Sequence, residues 1–419
     1  MRSGEDHPTE LSTGPAARTA GDDLDAGRAE PPSPTTFTRA EWRATLSLAG
    51  VYALRFLGLY MVLPVLSLYA RRLPGSTSFL TGMSLGAYGF TNMLLVLPFG
   101  VLSDKIGRKR VIALGLAIFS AGSFVAASAS TIVGLLAGRA LQGAGAVSSV
   151  VVALIGDVTR PEVRARAMAI LGTALALSFA VGVIAGPSLA GEFGVQSLFL
   201  LTGVLSLGGM LLMVVAVPNP AHVHHYEEYE PRVRQMGPLL LQHDLLTLDL
   251  GMFMLHLALT ALFVVVPILL EPLLPAYHLW RVYAPIIFLG MAIALPTMTY
   301  AERTGSVNKV LAAGITLFGS SFVLLRFASH ELAGIAAGLA FFVTALGLLE
   351  PTLTTLLTRY TTRETRGTAA GVFNMSGFLG AFVGGALGGL LLEEHEALFL
   401  VLACASLFWL AAAIRLRRI

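Results

Sequence analysis

The chain has 419 residues, 55% hydrophobic and only 13% charged, with a net charge of +3 and a mean hydropathy of +0.75. Soluble domains are nearer a quarter charged, so this composition excludes an ordinary soluble fold. The lone cysteine, Cys404, excludes an internal disulfide and has no metal-ligand companions, and the absence of a Gly-x4-Gly-Lys-Ser/Thr loop excludes a recognisable ATPase.

The first forty residues are rich in Asp, Glu, Pro, Ser and Thr and have no apolar stretch of signal-peptide type. Residues 1–43 therefore read as a disordered cytoplasmic tail. Long apolar runs such as Val111–Ala129 and Leu198–Val217 follow. Runs of about 18 or more apolar residues read as membrane spans. These runs lack the two-residue alternation of barrel strands, so helices satisfy their backbone polar groups. Six spans are expected at 44–70, 79–102, 110–129, 131–156, 165–190 and 196–217. Six more are expected at 245–270, 282–300, 308–327, 331–357, 367–392 and 396–415. The fold class is thus an all-α membrane protein of twelve helices. It divides into an N-terminal half at 44–217, a linker at 218–243 and a C-terminal half at 244–419. The linker carries His222, His224, His225, Glu227, Glu228 and Glu230. With no matching ligand cluster elsewhere, it reads as a solvated loop and not a metal site. Cys404, inside the last run, is expected to pack within the bundle.

Basic residues crowd the loops after even-numbered spans. They include Lys105, Arg108, Lys109 and Arg110; Arg160, Arg164 and Arg166; Arg232 and Arg234; Arg303 and Lys309; Arg359, Arg363 and Arg366, with Arg415, Arg417 and Arg418 at the end. The opposite loops hold Arg71, Arg72, Arg281 and Arg326. This bias orients the chain with both termini in the cytoplasm; it is not a nucleic-acid surface. The halves also repeat. At one constant offset, Glu162 falls on Glu364, Arg164 on Arg366, Gly182 on Gly384 and Gly186 on Gly388, while Asp104-xx-Gly107 is matched by Glu302-xx-Gly305. Parallel six-helix repeats are a transporter architecture, with substrate near the midplane between them.

The strongest motif joins spans two and three: Gly100-Val-Leu-Ser-Asp104-Lys-Ile-Gly107-Arg108-Lys109-Arg110. Its glycines permit close approach and a tight turn, and Asp104 at a helix end can face the positive N-terminus of a neighbour. This segment resembles the signature loop of the major facilitator superfamily, and the resemblance covers essentially everything after the tail. Within the superfamily the chain is similar to the twelve-helix proton-driven drug exporters, closest to the YajR-type efflux transporters of bacterial inner membranes. Met61-Val-Leu-Pro64, Pro98-Phe-Gly100 and Gly138-Arg139-Ala-Leu-Gln142-Gly143 carry it further. That type has a small soluble domain after the last helix, whereas this sequence stops at Ile419, so regulation through such a domain is not among the expectations taken from the resemblance.

The resemblance implies that Asp104 faces the start of span eleven and that Arg108 pairs with Asp157. Together with Gly100 and Gly107 these would latch the cytoplasmic side in the outward-open state. In the second half Ser306 and Val307 replace the basic pair, so the latch is expected to be stronger in the first. Gly182, Gly186, Pro187 and Gly191 resemble the antiporter motif of drug exporters; by physics alone they form a small-residue packing stripe with a bend at Pro187. Arg139, with Gln142 on its face, resembles the family's basic residue of the fourth helix, and a purely hydrogen-bonding role stays open beside it.

Arg55, His256 and Glu350 are the other ionisable residues expected inside spans, where an unpaired charge is costly and tends to be functional. Asp249 is expected to be solvated. Glu350, helped by His256, is the expected proton carrier, with Arg139 positioning substrate or tuning the local pKa; a structural histidine is an equal reading for His256. Pro351 is expected to open the backbone beside Glu350. Tyr52, Tyr60, Met61, Tyr88, Phe90, Met252, Met254, Phe341 and Phe342 could line an adaptable apolar cavity or face lipid. The expected function is secondary active export of small apolar or amphipathic compounds by proton antiport with alternating access. A narrow-specificity metabolite exporter, a uniporter, or a non-transporting membrane sensor or scaffold is the alternative. No nucleophile–base pair or metal cluster is apparent, so no enzyme, cofactor or metal is expected. The expected partners are a small-molecule substrate, protons and the lipid bilayer, with no nucleic acid, for a monomer in a bacterial inner membrane.

Overall fold

A computed structural model describes residues 36–217, 242–362 and 365–416. The linker residues 218–241, with their histidines and acids, lie outside the described residues, as do Arg363, Glu364, Arg417, Arg418 and the tail to residue 35. The described chain is helical: α1 Arg39–Ala70, α2 Ser78–Ile106, α3 Arg108–Ala127, α4 Ile132–Ala144, α5 Ser148–Val158, α6 Pro161–Phe193 and α7 Val195–Ala216. Then come α8 His243–Leu270, a 3-10 turn Ala276–His278, α9 Trp280–Thr304, α10 Val307–Ala328, α11 Leu332–Tyr360, α12 Arg366–Leu390 and α13 His395–Ile414. Among the described residues, twelve segments are long and apolar enough to cross a membrane, with α4 and α5 together forming the fourth. An even number of crossings returns the chain to the end where it began, called here the terminus end; the other is the far end.

Local chemistry explains several boundaries. α1 begins at Arg39, inside the stretch whose composition reads as tail. Thr38 and Glu41 form a capping box there, with Thr38 N donating to Glu41 Oε2 at 2.8 Å and Glu41 N donating to Thr38 Oγ1 at 3.2 Å. Arg160 then reaches the same carboxylate, Nε to Glu41 Oε1 at 2.8 Å, which ties the start of α1 to the turn before α6. The fourth span breaks where a single helix was expected: Gly145-Ala146-Val147 separates α4 from α5. By contrast α6 runs unbroken through Pro187 and α11 through Pro351, so neither proline opens its helix. Cys404 is exposed, because α13 buries the face carrying Leu402, Ala403, Ser406 and Trp409.

The repeat in sequence is also a repeat in structure. Gly107 and Gly305 both take positive φ, 96° and 67°, a conformation that favours glycine. Arg164 donates to the carbonyl of Gly156 at 2.8 Å, and its counterpart Arg366 donates to that of Thr358 at 3.2 Å, eight residues back in each case. Gly182 and Gly186 of α6 seat the backbone of α1 at Tyr60 and Met61, while Gly384 and Gly388 of α12 seat α8 at Leu257 and Ala261. Without a hydrophobic drive between helices in lipid, such backbone approach is what holds them together.

A Cβ at Gly186 would overlap the Met61 carbonyl, whereas Gly172 on the same helix meets nothing within 4 Å. Gly186→Val should therefore destabilise the purified protein by about 1–3 kcal/mol, read as a lower thermal-unfolding midpoint, with Gly172→Val unchanged. Equal midpoints for the two would contradict this packing.

Candidate functional site

The site lies between α1–α7 and α8–α13. Their described polar contacts sit at the far end: Ser67 Oγ donates to the Phe263 carbonyl at 3.2 Å, Arg71 and Arg72 reach Glu271 at 3.2 and 2.7 Å, and Ser78 Oγ donates to Glu393 at 3.2 Å. There α2 and α12 meet backbone to backbone, Gly82 against Gly385 and Gly389, and Gly86 against Phe382. Gly191 seats Tyr277 of the 3-10 turn. At the terminus end, Gly100 and Gly107 meet nothing within 4 Å. The described residues thus seal the far end and leave the terminus end without such a seal.

Arg108 stands at that unsealed end. Its Nε lies 2.7 Å from Asp157 Oδ2, and its NH1 contacts Asp104 Oδ1 and Ser103 Oγ, each at 2.8 Å. The Arg108–Asp157 pair expected from the resemblance is present in the geometry. Asp104 is placed otherwise: its side chain is 43% exposed and bonds Arg108, and no described contact carries it to the start of α12. The reason is that Arg108, one turn along, claims the carboxylate.

Deeper in, Arg55 and Arg139 are each 1% exposed. Arg55 donates to Tyr88 Oη at 3.1 Å, the Gly145 carbonyl at 3.0 Å and Ser148 Oγ at 3.3 Å. Its guanidinium lies 5.0 Å from each of the Phe56 and Phe119 ring centres. Gly145 ends α4 on the negative side of its dipole, and its carbonyl accepts from Val147 N at 3.0 Å as well as from Arg55. The break in the fourth span is thus the partner of Arg55: a cation staples the two half-helices. Arg139 donates to the Ser84 carbonyl at 3.0 Å and to Gln142 Oε1 at 2.7 Å, and lies 5.2 Å over the Tyr88 ring. Gln142 passes the network on to Ser123 at 2.8 Å. Arg139 and Gln142 therefore do share a face, and Tyr88 links them to Arg55.

Glu350 is half-buried. Its carboxylate sits within electrostatic reach of the Tyr52 and Tyr60 hydroxyls of α1, and no described hydrogen bond or ion pair engages it. His256 is also half-buried; Nδ1 lies 3.2 Å from the Met252 carbonyl of its own helix, and the ring abuts Gly377 of α12. The structure does not join His256 or Arg139 to Glu350. Asp249, expected in solvent, is half-buried. Of the proposed cavity residues, Phe90 and Phe341 face outward at 40% and 41% exposure.

The sequence reading missed an aromatic series that crosses between the two sets of helices. Tyr52, Phe56, Tyr60, Phe179, Phe263 and Tyr283 follow one another with ring centres 4.6, 5.6, 5.1, 6.5 and 6.3 Å apart. The four-residue spacing of Tyr52, Phe56 and Tyr60 on one helical face was the available signal.

The Major Facilitator Superfamily model matches residues 48–279 and 248–419. The chain belongs to this superfamily. It is 36% identical over 380 residues to the inner membrane transport protein YajR of Escherichia coli (strain K12), covering 90% of this chain and 84% of that one. The quinolone resistance protein NorA of Staphylococcus aureus (strain MRSA252) is 30% identical over 183 residues, covering 42% of this chain and 46% of that one. In fold it is similar to a bacterial homologue of the human lysosomal transporter Spinster, solved inward-facing and unoccupied. That likeness has a TM-score of 0.69 at 15% identity, over 90% of this chain and 95% of that one. The protein is a membrane transporter of the superfamily, not an enzyme.

The stapling role of Arg55 has a direct consequence. Arg55→Met leaves the Gly145 carbonyl and Ser148 hydroxyl without this donor, which should cost about 1–3 kcal/mol of stability. The measurement is thermal unfolding in detergent, and a variant as stable as the parent would exclude the staple.

Proposed function

We propose that this transporter exports small apolar or amphipathic compounds in exchange for protons by alternating access. The observation that carries the reading is Glu350, a carboxylate at span depth with no described ion-pair partner. An acid there is costly when charged and alone, and a proton or a cation relieves that cost. Arg55 and Arg139, by contrast, are already met by carbonyls, an amide oxygen and ring faces. In the proposed cycle Glu350 carries the exchanged proton, Arg139 with Gln142 and Tyr88 orders the neighbouring wall, and His256 tunes the interface of α8 with α12.

The basic loops support placing the terminus end in the cytoplasm of a bacterial inner membrane. The unsealed end then faces the cytoplasm, the side from which an exporter takes substrate. Closing the terminus end by bringing Asp104 to α12 belongs to the same cycle and would release Asp104 from Arg108, while the Arg108–Asp157 pair stays within the first set of helices. The stretch Gly182 to Gly191, through Pro187, holds α6 against α1 and the 3-10 turn while the two halves rock. The name of NorA, a resistance protein, favours export of foreign compounds over uptake.

Glu350→Gln fixes the neutral form. Reconstituted in liposomes with a compound that raises the melting temperature of the purified protein, this variant should lose accumulation driven by an imposed proton gradient while keeping downhill exchange. His256→Ala should shift the pH optimum only. Accumulation by Glu350→Gln at the parent rate would remove Glu350 from coupling.

A further inference from the structure

Three helices converge at one outer corner of the terminus end. α7 packs there between α1 and α3: Gly50 of α1 faces Leu212, and Ser206 Oγ donates to the Leu116 carbonyl of α3 at 2.9 Å. Cations from both neighbours reach the last carbonyls of α7. Arg43 of α1 donates Nη2 to the Val215 carbonyl at 3.5 Å, and Lys109 of α3 donates Nζ to the Val217 carbonyl at 2.7 Å. A helix C-terminus carries about half a negative charge, so two full cations overcompensate it.

Arg39, one turn before Arg43, and Arg110, next to Lys109, bring further exposed cations to the corner. No described hydrogen bond or ion pair engages either. Both stand in the first turn of their helices, at the positive end of the dipole, where a cation is disfavoured and an anion welcome. Glu41, Asp104 and Asp157 of the same end are already held by Arg160 and Arg108.

Below these cations the surface turns apolar. Leu46 lies about 4.5 Å deeper than Arg43 along α1, and Leu114 about 6 Å deeper than Arg110 along α3. Leu46 is 51% exposed, Leu114 44%, and Val214 of α7, between the two helices, 62%. Trp42, stacked on Phe37 at 5.0 Å and 45% exposed, sits at the level of the arginines, the usual depth of an interfacial aromatic anchor. Basic residues in a loop suffice to orient a membrane chain. Converging them from two helices onto the end of a third, above an exposed apolar face, serves a different purpose.

We infer that this corner binds an anionic phospholipid. Arg39 and Arg110, with the remaining donors of Arg43 and Lys109, hold the phosphate in charge-assisted hydrogen bonds, and the acyl chains lie along Leu46, Val214 and Leu114. Basic recesses beside membrane helices recognise anionic headgroups in this way. A zwitterionic lipid would add a cation to a corner already cationic, so a headgroup of net negative charge is the one that fits. The bound lipid fastens the end of α7 to α1 and α3. The site is independent of the export reading.

Native mass spectrometry of the full chain, titrated with phosphatidylglycerol or phosphatidylcholine, tests this. The parent should hold one phosphatidylglycerol at about a tenth or less of the concentration that phosphatidylcholine needs. Arg39→Gln/Arg110→Gln removes two exposed charges and should raise the half-saturating phosphatidylglycerol concentration about five- to thirtyfold. Arg303→Gln/Lys309→Gln removes two exposed charges at the terminus end of the other set of helices and should leave it unchanged. Glycerol 3-phosphate, which carries the anion without acyl chains, should fail to displace the lipid at equal concentration. Equal weakening by the two double variants would reduce the effect to general attraction and overturn the proposal. Equal affinity for the two lipids, or displacement by glycerol 3-phosphate at equal concentration, would overturn it as well.

Discussion

The close approach of α2 and α12 at the far end is the constraint on which the rest of the site depends. Gly82 and Gly86 face Gly385, Gly389 and Phe382 with room for no side chain between the backbones. In lipid the apolar effect does not favour helix over tail, so association rests on this contact and on polar groups that meet across it. The Arg71 and Arg72 contacts with Glu271 are partly exposed and of the kind worth about 0–1 kcal/mol each. A seal assembled from many small terms can be opened. A membrane potential supplies about 2.3 kcal/mol per charge per 100 mV, a comparable energy.

With the far end sealed, the interior divides its charges unequally. Arg55 and Arg139 are absorbed by the first set of helices, one by the Gly145 carbonyl where the fourth span breaks, the other by a carbonyl and Gln142. Neither is paired with a carboxylate among the described residues, and Arg55 Nε is left without a hydrogen-bond partner. Among the described residues Glu350 has no ion-pair partner, and its charge lies within electrostatic reach of Tyr52 and Tyr60 of α1.

Much of the architecture was legible in the residues. Twelve apolar runs, interrupted at the loops by basic residues, fix the number of helices because lipid permits few alternatives. The paired motifs fix the repeat, and Arg164 and Arg366 fold the same way as a result. Contacts between distant helices were not legible. Nothing in the run Arg139–Gln142–Gly145 says that Arg55, ninety residues earlier, would cap the end of α4, since apolar periodicity is silent about a broken span. Asp104 was placed against α12 by resemblance, but the arrangement of this structure leaves it with Arg108. Tyr283 escaped notice because a tyrosine near a span end commonly sits in the interfacial aromatic belt; only its burial distinguishes it. The pairing of Glu271 with Arg71 and Arg72 depends on how α1 and α8 converge.

The most direct test of the account is whether the two ends open alternately. Spin labels at Ser128 and Glu331, exposed at the far end, and at Lys105 and Arg359, exposed at the terminus end, would be introduced in a Cys404→Ser background. Distance distributions measured by double electron–electron resonance between pH 8.5 and 5.5 should shift in opposite directions for the two pairs, as one end opens and the other closes. If both distances stay fixed across that range, or lengthen together, the sealed far end is not one state of a transport cycle.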